Sequence, residues 1–194
     1  MLLLFISFLF AQLDLTPNIT GNDYFGKIKV RRFLLKDTVF IFDLDGDKVK
    51  DTLSIHFLQT GYNFKVKSHK SEKIFLWLEE EEDVDIYIEV ARAFLVNDEK
   101  PLLLIGIEYS PVHGNEFHIY DIVHTAKGIE VFPLLIDSSA GWASSPVILK
   151  PGYVEIRHFR QWLIAKYLWD GEKFIKIYDV EEEDKPRTKN KRKR

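Results

Sequence analysis

The chain has 194 residues, of which 46% are hydrophobic and 29% charged, and it contains no cysteine. This apolar content excludes wholesale disorder, the missing cysteines exclude a disulfide scaffold or a thiolate-ligated metal, and the length suits one domain with short tails. The net charge of −3 is a sum of unlike parts: the last ten residues hold seven of the 27 basic side chains and no acid, so the remainder sets 20 basic against 30 acidic groups, a net −10.

In chain order, residues 1–11 (MLLLFISFLFA) open with an apolar run too short to span a bilayer. The run has the length of a signal-peptide core, and Ala11 is a small residue suited to cleavage. A basic start is missing and Leu9 is bulky, so a buried N-terminal strand is the competing reading. Residues 12–184 then form a single folding unit. The segment TVFIF (38–42) is apolar on both faces and suits an inner strand. Alternation follows in Leu53, Ile55 and Phe57, then in Val84, Ile86, Ile88 and Val90 between Asp85, Tyr87 and Glu89, then in Leu103, Ile105, Ile107 and Tyr109. A period of two buries one face of a strand and wets the other. Val/Ile alternation also makes VDIYIEVARAFL, the one rival for a helix, a strand. Turn signals come at short intervals, among them Lys127-Gly128 and Asp170-Gly171. They predict two hairpins, FHIYDIVHTAKGIEVFPL and WLIAKYLWDGEKFIKIY. Residues 138–146 (SSAGWASSP) read as a loop, in which Trp142 either plugs the core or offers a platform to sugar or peptide. Residues 185–194, from Lys185 to Arg194, are a basic run that cannot bury enough surface to fold. Such a tail serves as a tether to a polyanion or simply as a solvated end; it could also fold back on the acidic residues 181–184 or on residues 79–85, which hold six acids in seven positions. About a dozen short strands result, and the fold class is all-β, an antiparallel meander.

The sharpest chemistry lies at IFDLDGDKVKDTLSI, residues 41–55. Asp43, Asp45, Asp47 and Asp51 occupy positions 1, 3, 5 and 9 of a loop, and Val49 at position 7 offers a backbone carbonyl. This is the ligand spacing of a calcium loop; Ca2+ is a hard cation that takes 6–8 oxygens. Two carboxylates ~5 Å apart repel by about 1 kcal/mol in water and about 3 kcal/mol at an effective dielectric of 20. Four folded around one point would therefore be costly without a cation. The alternative is an exposed acidic turn, since Asp and Gly favour turns. An EF-hand would place helices beside the loop and a Glu at position 12; here the flanks are strands and position 12 is Ser54.

The stretch resembles the FG-GAP/VCBS repeat family, whose calcium loops join two strands of a propeller blade. The pattern runs Asp43-Leu44-Asp45-Gly46-Asp47-Lys48-Val49-Lys50-Asp51 and then Thr52-Leu53-Ser54-Ile55. The four acidic positions and the first glycine match, over about twenty residues. Lys48 stands where a second glycine is common, which implies positive φ at a non-glycine residue. YLWDGEKFIKI is similar to the hairpins that close blades in such proteins. The resemblance implies a structural Ca2+, an extracytoplasmic location in keeping with a leader, and a binding or scaffold role toward a protein or carbohydrate. Length limits a propeller: about 173 residues make about four compact blades of ~40–45 residues, the small end of the 4–8 range, or three looser ones. A small or partial propeller-like meander is the expectation.

Catalysis leaves little trace. His118 and His124 share a strand face but lie ~20 Å apart at ~3.4 Å per residue, too far to hold one metal. His56, His69, His113 and His158 belong to no motif, and no nucleophile elbow, P-loop or zinc-binding H-E-x-x-H occurs. The chain reads as non-catalytic. The alternatives are a polysaccharide hydrolase on the same scaffold, using Trp142 and nearby acids, and a polyanion-binding protein acting through its tail.

Overall fold

The computed structural model describes residues 17–68, 71–110, 114–140, 146–158 and 162–179. The leader, Trp142 and the basic tail lie outside the described residues. Fifteen strands run through the described residues: β1 (Ile19–Asp23), β2 (Gly26–Lys27), β3 (Val30–Leu34), β4 (Thr38–Phe42), β5 (Asp51–Leu58), β6 (Gly61–Ser68), β7 (Ser71–Glu79), β8 (Asp85–Ala93), β9 (Leu102–Ser110), β10 (Asn115–Thr125), β11 (Gly128–Ala140), β12 (Val147–Lys150), β13 (Tyr153–His158), β14 (Trp162–Trp169) and β15 (Phe174–Asp179). The described residues form an all-β fold of mainly antiparallel sheets, with no closed barrel among them.

Three successive four-stranded meanders make up the body: β4 to β7, β8 to β11, and β12 to β15. The first strands decorate the other two. Strand β3 pairs antiparallel with β8, β1 pairs with β12 in the one parallel ladder of the described residues, and β2 folds back on β1. Three meanders among the described residues correspond to the smaller of the two counts that the length allows.

The β8–β11 sheet forms the middle layer. On one of its faces Ala91, Leu102, Leu104 and Phe117 pack against Leu149, Val154 and Ala165 of the β12–β15 sheet. On the other face Ile88, Leu103, Ile105 and Ile122 pack against Leu53, Phe64 and Val66 of the β4–β7 sheet. This accounts for PLLLIGIEY: successive side chains of β9 point to opposite faces, and both faces are dry. The expectation that such strands wet one face is therefore corrected for the middle layer. Glu89, assigned to a wet face by the alternation, is 2% exposed.

Both predicted hairpins form. Thr125 pairs with Gly128, and Trp169 pairs with Phe174. At the second turn Asp170 Oδ1 accepts the Glu172 and Lys173 N–H groups, each at 2.8 Å, while Gly171 takes the positive φ of 106° that the turn requires. VDIYIEVARAFL is strand, as expected. Two expectations change. TVFIF is an edge strand rather than an inner one, with Val39 55% and Ile41 63% exposed. Residues 138–140, predicted as loop, extend β11.

Candidate metal centre

The loop between β4 and β5 is closed by the pairing of Phe42 with Asp51. Leu44, fully buried in the core between the first two sheets, anchors it from beneath. Arg92 of β8 donates from Nη1 to the Asp43 carbonyl at 3.0 Å and ties the loop to the middle layer. A chain of side-chain-to-backbone hydrogen bonds then winds the loop. The Gly46 N–H donates to Asp43 Oδ1 at 2.8 Å, Asp47 N–H to Asp45 Oδ1 at 3.1 Å, Val49 N–H to Asp47 Oδ1 at 2.7 Å, and Leu44 N–H to Asp51 Oδ2 at 2.7 Å. Asp favours such turns because its side chain can accept from a nearby backbone N–H.

The winding needs two left-handed residues. Gly46 has φ 86° and Lys48 φ 70°. The second is the strained non-glycine position implied by the family pattern. Gly46 also has little room for a side chain, since a Cβ there would stand 3.1 Å from the Glu99 carbonyl oxygen.

The result gathers three carboxylates. One oxygen each of Asp43, Asp45 and Asp51 lies within 4.8 Å of the others. Asp45 Oδ2 and Asp51 Oδ1 are buried without a hydrogen-bond partner, while the other oxygen of each carboxylate is spent on the loop backbone. Asp51 is only 1% exposed. A buried carboxylate oxygen left without a donor is costly, and proteins rarely leave one so. Burial, and after it the neighbouring charges of Asp51, Asp47 and Asp43, raise the Asp45 carboxyl above its ordinary value despite the hydrogen bond from Asp47. All donors are oxygen, which fits a hard divalent cation such as Ca2+.

Of the five residues predicted as ligands, Asp43, Asp45 and Asp51 converge. The Asp47 carboxylate stands outside this trio and caps the Val49 N–H, and the Val49 side chain is 48% exposed.

Two polar clusters had no sequence motif. Glu89 accepts the backbone N–H groups of Asn18 and Ile19 at 2.6 and 2.8 Å and pairs with Arg32 Nη1 at 2.7 Å; Glu108 shares that nitrogen at 3.0 Å. On β10, His118 Nδ1 meets the Tyr120 hydroxyl at 2.8 Å and Nε2 meets Glu116 at 2.9 Å, within a buried setting. The i, i+2, i+4 spacing of Glu116, His118 and Tyr120 was the available signal. His118 is buried and His124 exposed, so they form no shared site.

No family model, curated protein or solved structure matches the chain.

Proposed function

We propose that this protein is a calcium-binding β-module that acts without catalysis, as a binding or scaffold unit outside the cytoplasm, with a structural Ca2+ held by the Asp43–Asp51 loop. The carrying observation is the pair of orphaned buried oxygens, Asp45 Oδ2 and Asp51 Oδ1, in a trio of carboxylates that nothing cationic neutralises from within the loop. The strand flanks, the left-handed Lys48 and the resemblance to FG-GAP/VCBS loops support the same reading. Asp43, Asp45 and Asp51 would supply the charged ligands, with backbone carbonyl or water oxygens completing the 6–8 that Ca2+ takes. The ion would remove the carboxylate repulsion and fix the β4–β5 connection.

Extracellular calcium modules bind at ~10⁻⁴–10⁻³ M. Ca2+ at ten to a hundred times Kd stabilises the folded state by about 1.4–2.7 kcal/mol, a rise in Tm of roughly 3–10 °C for a chain of this size. Thermal melts in EDTA and in excess Ca2+ measure it. Asp45→Ala and Asp51→Asn should abolish the rise. Equal Tm in EDTA and Ca2+ for the unaltered protein would sink the proposal.

A further inference from the structure

Each of the three sheets brings an edge strand, β2, β3 or β4, to one common groove of about 830 Å³ beside the metal loop. One wall carries Lys27, Lys29 and Arg31, which are exposed at alternate positions while Ile28 between them is buried. Side chains two residues apart on an extended chain are ~7 Å apart on one face, so these cations form a row. The metal loop adds Lys48 and Lys50 to the lining. Among the described residues none of these five cations enters an ion pair; Arg31 instead lies 5.7 Å over the rings of Phe40 and Phe42. The two acids that line the groove are held by backbone. Asp23 accepts the Phe25 and Phe94 N–H groups, and Asp43 accepts that of Gly46.

Strand β4, which enters the groove with Ile41 and Phe42, is the unusual edge. Natural sheets blunt their outer strands with charge, proline, bulges or a covering segment, because a bare edge offers unpaired N–H and C=O groups. TVFIF has no charge and no proline, pairs with β5 without a register shift, and leaves Val39 and Ile41 exposed. The lining of the groove holds no amide or hydroxyl side chain, only cations, apolar groups and the two occupied acids. The row of cations favours an anionic occupant, and the open strand edge favours one that offers backbone N–H and C=O groups.

We propose that β4 accepts an extended acidic peptide as a fifth strand of its sheet, with acids alternating with apolar residues. Main-chain hydrogen bonds to the open edge hold it. Its acids on the Phe40/Phe42 side face Arg31 and the lysine row, and its apolar residues continue the Val39/Ile41 surface.

The test uses the full chain in EDTA, which separates it from the calcium reading. Fluorescence anisotropy is recorded with a labelled decapeptide alternating Glu and Val. A decapeptide alternating Glu and Pro has the same charge but lacks half of the N–H groups that a strand needs. The Glu-Val peptide should bind and the Glu-Pro peptide should bind at least tenfold more weakly. Arg31→Glu should weaken Glu-Val binding tenfold or more, and Lys127→Glu, at the distant β10–β11 turn, should leave it unchanged. Lys29→Glu replaces Arg31→Glu if circular dichroism shows that the latter is unfolded. Equal binding of the two peptides, as a basic tail alone would give, overturns strand addition. Indifference to the charge reversals overturns the site. A ten-residue thymidine oligonucleotide or an oligogalacturonate that binds in an Arg31-dependent way while Glu-Val does not overturns the occupant.

Discussion

At the scale of single residues, Glu89 has the largest burden. It sits 2% exposed and accepts two backbone N–H groups and a guanidinium. A Cβ on Gly106 would come within 3.3 Å of the Glu89 Cβ and 3.2 Å of Ile19 Cδ1, so this glycine makes room for the contact. Breaking a buried pair strands the other charge and typically costs about 3–5 kcal/mol. Glu89→Ala should therefore lower the urea-unfolding free energy by about that amount at neutral pH, because Arg32 loses the shorter of its two carboxylate contacts. Asp45 gives the second residue-scale prediction. Its raised pKa means that the metal-free folded state takes up this proton more readily than the unfolded chain does, so protonation favours the metal-free fold. Calcium needs the ionised form. The calcium-induced rise in Tm should be full near neutral pH and shrink as pH falls, beginning above the pH at which an ordinary Asp would titrate; a rise that holds constant down to that pH would contradict it. The convergence of Asp43, Asp45 and Asp51 was legible in the loop spacing, but the same spacing also selected Asp47, whose carboxylate turns to the Val49 N–H instead. Glu89 was not legible, because a period of two says that faces differ and not what covers them.

At the scale of elements, turns were the most readable feature. Asp170-Gly171 and Lys127-Gly128 dictate local backbone geometry through residues that sit side by side in sequence, and both hairpins follow. The position of a strand within its sheet is set by distant partners, so TVFIF was read as interior when its apolar outer face is an open edge. Strand β9 shows the same limit from the other side. Leu104 and Ile105 are neighbours in sequence and both fully buried, yet they serve opposite cores. Leu104→Ala and Ile105→Ala should each cost about 2–5 kcal/mol by urea unfolding, the usual range for truncating a buried aliphatic side chain.

At the scale of the molecule, the central strands of the middle sheet, β8 and β9, have almost no face of their own to show to water. Neither outer sheet can leave without exposing half of the apolar surface of β8, β9 and β10. Calorimetry of both alanine variants should accordingly give one transition, shifted down in each, with no splitting into an early and a late sheet. The parallel ladder of β1 with β12 adds a matter of timing. The Thr20 hydroxyl reaches the Val147 carbonyl across 127 residues, whereas Glu89 captures the Asn18 and Ile19 N–H groups across 71 and 70. Synthesis at ~5–20 residues per second delivers Glu89 several seconds before β12 emerges. The buried carboxylate is thus offered to β1 while only the short ladder with β2 holds that strand, well before its parallel partner β12 has been made.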